Sequence, residues 1–487
     1  MDILLPVTLP DAEKCNATTS TGAVYSGLQL EECQAFLGIP YAERPVGNRR
    51  FLPPVDFDSE DHVDATRPGL SPPQEKLPQS KWLANRGQFE VGEDCLNLNI
   101  FTPAPDRGGR PVVVYVFGGG FQTGSANSAE IPDKDVAVSA DCVFVRVNFR
   151  IGALGFLDLS GRVSTGESGA NRGLLDLASA LRWINRNIRH FGGDPDNVSL
   201  VGMSSGAFMI AALAGMEVAN HLFRRVWLMS GSTGRIIEPD AAAELTDRFL
   251  HELEIVDYAI PRLETLSVQQ ILRAQRAIVS ENLAVRNAPG GKTFGVVNDG
   301  KVLKHLPHQS IASGIWRDKA LVAGWTKDEA RFWFLEGRMP APQVANDIVA
   351  MIGLFRPTGA DEVFQDLVRQ YPKGDLQELA ELFLTNEIYK APATKMIAAQ
   401  KNCGGRGHAY EFSLVPPNPN EYAGAAHGFD EAFVFGQLNE RFSPTYCTSD
   451  SAKELAARMF GAFRAYIRGG EVKLPFQTRC DFQKRMS

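Results

Sequence analysis

Residues 197–216 run NVSLVGMSSGAFMIAALAGM. The first six are an apolar, β-branched run. The last thirteen are apolar on most sides, as in a buried helix. Between them Gly202 and Gly206 bracket Ser204. A strand that turns sharply into a helix holds its turn residue in strained backbone and needs small neighbours so that both elements can approach. This G-x-S-x-G stretch therefore imposes a strand–turn–helix unit with Ser204 lifted clear of a sheet. Two readings stay open for these five residues: an activated nucleophile, or a tight turn whose small residues only permit packing.

The rest of the chain repeats the strand–helix alternation. Residues 111–117, 142–149, 225–231, 319–325 and 408–414 read as further strands. Residues 173–193 carry apolar residues at helical spacing, and 451–469 read as an amphipathic closing helix. Strands separated by helices predict an α/β fold with a large, mostly parallel central sheet covered on both faces. Two stretches lack strand signals, at about 234–290 and 335–395, and read as helical insertions capping one end of the sheet. No repeat or low-complexity linker divides the 487 residues, so a single domain over 1–487 is expected.

Composition narrows the function classes. The net charge is -7 and no long basic run appears, which argues against nucleic acid. No apolar run approaches the roughly 18 residues of a membrane helix, and the start does not read as a secretory signal. Seven cysteines, at 15, 33, 95, 142, 403, 447 and 480, form no close pairs; they suit reduced thiols better than a disulfide framework or a zinc site. No metal or cofactor is expected.

A serine hydroxyl needs a base, a group to orient that base, and donors for the developing oxyanion. The donors are readable. FGGGF (117–121) directly follows the strand at 111–117, and successive glycines let backbone N–H groups approach a ligand. Gly119, Gly120 and the N–H of Ser205 make the expected oxyanion hole.

With these residues in view, the chain resembles the type-B carboxylesterase and cholinesterase family of α/β-hydrolases. The resemblance rests on FLGIPYAERPVGNRRFLPP (36–54), EDCLNLNIF (93–101), FGGGF, NFRIGALGFL (148–157), ANRGLLD (170–176), FGGDP (191–195) and GMSSG (202–206), in the family's order. It implies an α/β-hydrolase fold and supplies the missing partners. Glu329, in KALVAGWTKDEARFWF, stands at the position of the family's acid, with Asp328 as neighbouring rival. His427, in GAAHGFDEAFVFG, stands at the position of its histidine, with Asp430 in a supporting role. Ser230 resembles a family serine that backs the triad; a plain strand-end turn is the equal alternative.

Departures from the family bear on substrate. Met203 stands where cholinesterases carry a Glu beside the nucleophile, so a neutral or apolar ester is expected rather than a choline ester. Phe117, Phe121 and Met203 are the expected pocket residues. The family's cysteine partner for Cys95 is missing; with the absent signal, this points to a cytoplasmic protein. The expected function is a serine carboxylesterase acting on a small-molecule ester. Acyl transfer or lactone formation with the same triad is the alternative, and a non-catalytic binding protein the remote one.

Overall fold

The computed structural model describes residues 13–474 apart from 60, 77–86, 107, 163–168, 256–259, 417–423, 440–445 and 447–448. Its strands are β1 (Lys14–Thr18), β2 (Val24–Leu30), β3 (Cys33–Pro40), β4 (His62–Asp64), β5 (Asn97–Thr102), β6 (Arg110–Val116), β7 (Val143–Val147), β8 (Gly193–Met203), β9 (Arg225–Met229), β10 (Ala320–Thr326) and β11 (Arg406–Phe412). They form one sheet in the order β1-β2-β3-β5-β7-β6-β8-β9-β10-β11, with β4 on β2. From β7 to β11 every pairing is parallel. From β1 to β7 the pairings along that order are antiparallel.

The parallel half follows from composition. All seven residues of β10 are buried, as are six of seven in β6. Such unbroken apolar runs suit strands covered on both faces. The antiparallel half carries weaker signals and was not legible as strands. In β2 the run VYSGLQL has no clean alternation, and a Cβ at Gly27 would fall 2.5 Å from the Ala35 carbonyl oxygen of β3. Here pairing partners, not local pattern, decide.

Register brings the functional ends together. Val116 of β6 pairs with Gly202 of β8, and Met203 pairs with Met229 of β9. The loop after β6, Ser204 after β8, Ser230 after β9 and Glu329 after β10 therefore emerge at one edge, outside the carboxyl ends of the strands, where open α/β sheets place their sites.

The helix Arg172–Asn187 ends six residues before the stretch expected from sequence, which finishes as a single 3-10 turn, Ile188–Phe191. Among the described residues the stretches at 234–290 and 335–395 contain helices and no named strand, the helices including Pro239–Glu252, Val268–Ile278, Ala345–Phe355, Ala360–Gln370 and Leu376–Leu384. Among the described residues no helix is long and apolar enough to cross a membrane. Cys15, Cys33, Cys95, Cys142 and Cys403 are free, while Cys447 and Cys480 lie outside the described residues.

One buried cluster behind the sheet edge is acid-rich. The fully buried Arg146 faces Asp133 and Glu130 at 3.3 and 3.5 Å, and the Tyr115 hydroxyl donates to Glu431. One cation cannot balance three carboxylates. Burial pushes the Asp133 carboxyl up to about 7, and burial with the nearby Glu130 pushes Glu431 well above the ordinary range. A carboxyl raised on folding stabilises the fold below its unfolded pKa, about 4.3 for Glu. That contribution is lost as pH climbs through the folded pKa. Glu431→Gln, which keeps an acceptor for Tyr115, is expected to raise the unfolding midpoint at pH 9 more than at pH 5. Equal shifts at both pH values, measured by calorimetry, would contradict this account.

Two glycines give opposite expectations. Gly461 is exposed within the helix Asp450–Ile467, and an added Cβ would meet nothing within 4 Å. Gly461→Ala should stabilise by about 1 kcal/mol. A Cβ at Gly206 would lie 2.1 Å from the Val116 carbonyl oxygen. Gly206→Ala should lower the midpoint sharply in the same denaturation assay.

Candidate active site

Ser204 sits between β8 and the helix Ser205–Ala212 with φ 53° and ψ -121°. A non-glycine residue held there is strained, at a cost of order 1–3 kcal/mol. Its N–H donates to the Met229 carbonyl of β9 at 2.9 Å, and its carbonyl accepts the first helical bond, from Phe208, at 3.0 Å. All eight residues of the helix are buried. A Cβ at Gly202 would fall 2.7 Å from Ile210 Cδ1 and 2.8 Å from the Ala207 nitrogen. Both bracketing glycines are thus required by the approach of helix to sheet.

Three side chains that the sequence scatters over more than 220 positions meet at this turn. His427 Nε2 lies 3.0 Å from Ser204 Oγ, and His427 Nδ1 lies 2.5 Å from Glu329 Oε2. Glu329 is fully buried, and its other oxygen accepts the Thr326 N–H at 2.9 Å. With one carboxylate oxygen held by β10, the second is aimed at the imidazole.

The rival acid has a different position. Asp328 Oδ2 accepts the Ala425 N–H at 2.8 Å, and the Asp328 N–H donates to the Ala425 carbonyl at 2.9 Å. It clamps the segment that carries His427 rather than touching the ring. Asp430 is fully buried and accepts the Tyr410 hydroxyl at 2.7 Å. Burial pushes its carboxyl up to about 6, against the lowering effect of Tyr410. Ser230 has φ 52° and donates its N–H to the Gly324 carbonyl at 2.9 Å. Its buried hydroxyl makes no hydrogen bond among the described residues, so no bond ties it to His427 or Glu329.

The glycine loop closes over the serine. A Cβ at Gly118 would stand 3.1 Å from Ser204 Cβ. Gly119 has φ +126°, and a Cβ there would fall 2.0 Å from the Thr123 carbonyl oxygen, so only glycine fits. Gly119 and Gly120 are partly exposed. Among the described residues, the N–H groups of Gly119, Gly120 and Ser205 donate to no protein acceptor.

The three pocket residues expected from sequence are all buried. Phe117 stacks on Phe149 at 4.4 Å and 8°, beneath the glycine loop. Phe121 packs edge-on against Phe156 at 5.2 Å, and Met203 is 7% exposed. They floor the site more than they line it. The rings against the histidine are Trp333 and Tyr389, with centroids 4.9 and 5.3 Å from that of His427. Sequence reasoning missed both. Trp333 follows Glu329 by one helical turn, a spacing that could have been noticed. Tyr389 lies in a π-helical turn, Thr385–Lys390, which leaves no sequence signal. Burial, then the Glu329 charge, pushes the Tyr389 phenol far up, so it stays neutral. Among the described residues no group of three or more His, Cys, Asp or Glu side chains could hold a metal ion.

Known proteins are similar to this chain in sequence and in fold. The model of the carboxylesterase family matches residues 14–479. A para-nitrobenzyl esterase of Bacillus subtilis is 32% identical over 93% of this chain and 89% of its own length. A phenmedipham hydrolase of Pseudarthrobacter oxydans is 30% identical over 93% and 90%. An acetylcholinesterase of Bungarus fasciatus is 28% identical over 94% and 79%. Among solved structures, a PNB esterase superposes with a TM-score of 0.81 at 29% identity, covering 94% of this chain and 92% of the other. A carboxylesterase of Geobacillus stearothermophilus gives 0.80 at 28%, covering 95% and 93%. The chain therefore belongs to the carboxylesterase family, with the α/β-hydrolase fold of the type-B carboxylesterases and cholinesterases, and is a carboxylic ester hydrolase.

Proposed function

We propose that the chain hydrolyses small carboxylic esters without a cationic group, through an acyl-enzyme on Ser204. The observation that carries this reading is the position of His427, 3.0 Å from the Ser204 hydroxyl on one nitrogen and 2.5 Å from Glu329 on the other. His427 takes the serine proton as Oγ attacks the ester carbonyl. It then gives the proton to the leaving alcohol. Glu329 fixes the ring with Nδ1 protonated and stabilises the imidazolium. The N–H groups of Gly119, Gly120 and Ser205 receive the oxyanion, and a preorganised donor of this kind is typically worth ~10²–10³ in rate. Water, activated by His427, then resolves the acyl-enzyme. No cofactor takes part in this sequence.

The substrate's charge follows from the surroundings. Met203, buried next to the nucleophile, offers no carboxylate to a cation. Trp333 and Tyr389 wall the histidine side with apolar surface, so the part of the ester lying there is neutral or apolar.

Ser204→Ala is expected to lower kcat for p-nitrophenyl butyrate by about 10⁴-fold or more, and Glu329→Gln by about 10⁴-fold. Ser205→Ala, which retains the N–H, should lose far less. Equal losses at the two serines, read in the same steady-state assay, would show that Ser204 is not the nucleophile. A fluorophosphonate probe should label the parent and not Ser204→Ala. Butyrylcholine should be hydrolysed no faster than an uncharged ester of equal size. A strong choline preference that salt abolishes would refute the charge assignment.

A further inference from the structure

We propose that Arg235 and Arg286 form a carboxylate-binding subsite for the acyl group of the substrate; this rests on Ser204 being the nucleophile. The pair lies beside the glycine loop. The Arg286 Nη2 group donates to the Gly120 carbonyl at 3.1 Å. The Arg235 guanidinium lies 5.0 Å above the Phe121 ring and 5.9 Å from that of Phe208. Phe121 directly follows the oxyanion glycines. Phe208 is in the first turn of the helix that Ser204 begins.

Elsewhere this chain pairs its enclosed arginines. Arg150 meets Asp176 at 2.6 Å, Arg50 meets Glu93 at 2.5 Å, and Arg331 meets Glu381 at 2.8 Å. Arg172 lacks a carboxylate, but carbonyls of Gly169, Leu157 and Leu154 take its donors within 3.0 Å. Arg235 has neither arrangement, and Arg286 has a single carbonyl partner, that of Gly120. Among the described residues Arg235 makes one hydrogen bond, to Thr293 Oγ1 at 3.1 Å, and its Nε is buried without a partner. Among the described residues no ion pair forms at Arg286; Glu281 acts on it from a distance, while Arg338 repels it. Burial, then mutual repulsion, holds the Arg235 guanidinium well below its ordinary value. Enclosed cations without counter-charge are costly. Both residues are nonetheless only partly buried.

Two guanidinium forks match a carboxylate better than any neutral group. Stereochemistry assigns the part of the ester that carries it. His427 must touch the leaving oxygen, so the alcohol lies on the histidine side. The oxyanion points at the glycine loop. The remaining substituent, the acyl chain, runs over Phe121 and Phe208 toward the arginines.

The test compares p-nitrophenyl monoesters of adipic and pimelic acid with p-nitrophenyl hexanoate and heptanoate. The parent should favour the carboxylate-bearing esters in kcat/KM by about tenfold or more, and added salt should shrink that preference. Arg235→Gln and Arg286→Gln should bring the ratio toward one, with the thermal unfolding midpoint of each variant reporting that it is folded. Hydrolysis of uncharged esters by the parent without any preference for the monoesters overturns the arginine assignment alone. So does a preference that survives both substitutions. A preference seen only when the carboxylate sits on the alcohol, as in butyryl esters of hydroxybenzoate, overturns the acyl placement. No hydrolysis of any ester would sink the Ser204 reading and this proposal together.

Discussion

The close approach of the helix Ser205–Ala212 to the sheet is the constraint on which the site depends. The helix rests directly on β6, β8 and β9. Cβ atoms at Gly206, Gly202 or Gly231 would collide with Val116, Ile210 or Ala207 respectively. The strained backbone of Ser204 costs about 1–3 kcal/mol. Burying eight residues, Phe208, Met209 and Ile210 among them, offsets it several times over, at roughly 1.5–3 kcal/mol for each large side chain. The fold thus holds the serine in a conformation no isolated segment would keep. The same geometry leaves the N–H of Ser205, at the first turn of the helix, without an internal acceptor.

Several of the sequence blocks that resemble the family, outside FGGGF and GMSSG, hold loops rather than perform chemistry. Asn148 accepts the Ala126 N–H at 2.8 Å and donates to Asn97 Oδ1 at 3.0 Å. Asn99 donates to Asn127 Oδ1 at 2.9 Å. Together they pin the chain just after the glycine loop. Arg150 grips Asp176 through two side-chain bonds, at 2.6 and 2.8 Å, and also reaches the carbonyl of Leu52 at 2.7 Å. Arg50 ties Glu93 to the carbonyls of Leu263 and Leu266 in a helical insertion. Buried polar groups must find partners. Once satisfied, such networks fix one arrangement of the loops, which explains why NFRIGALGFL, ANRGLLD and EDCLNLNIF read so distinctly although none contributes a reacting group.

What the sequence disclosed divides along physical lines. The parallel strands were legible because burial on both faces writes a continuous apolar run. The antiparallel edge was not, because β1, β2 and β4 carry polar and exposed positions whose conformation comes from their neighbours. The Ser204 turn was legible through steric need, which only glycine meets. Glu329 and His427 were nominated by resemblance alone; no periodicity separates Glu329 from Asp328. The difference is a backbone contact: the Thr326 N–H holds the Glu329 carboxylate inward, while Asp328 turns to the Ala425 segment. Trp333, Tyr389, Arg235 and Arg286 lie in or beside the helical insertions, where a residue's role depends on which face meets the sheet edge.

Charge is distributed unevenly across the pocket, and this bears on the chemistry. Beside His427 lie the buried carboxylates of Glu329 and Asp430, with Trp333 and Tyr389 packed on the imidazole and Tyr410 bonded to Asp430. Beyond the glycine loop lie the guanidinium groups of Arg235 and Arg286. In the proposed placement, an ester carbonyl over Ser204 has the acids on its histidine side and the cations on its acyl side, beside the glycine loop. In the proposed mechanism, the field of these groups favours the charge separation that attack would create, imidazolium toward Glu329 and oxyanion toward Gly120. Arg286, bound to the Gly120 carbonyl, polarises that peptide group and steadies the segment carrying its N–H. The cation pair therefore contributes to two stages at once. In the proposed subsite the pair would select an acyl chain with a terminal negative charge, and Arg286 holds the loop that would stabilise the second negative charge, formed on the carbonyl oxygen.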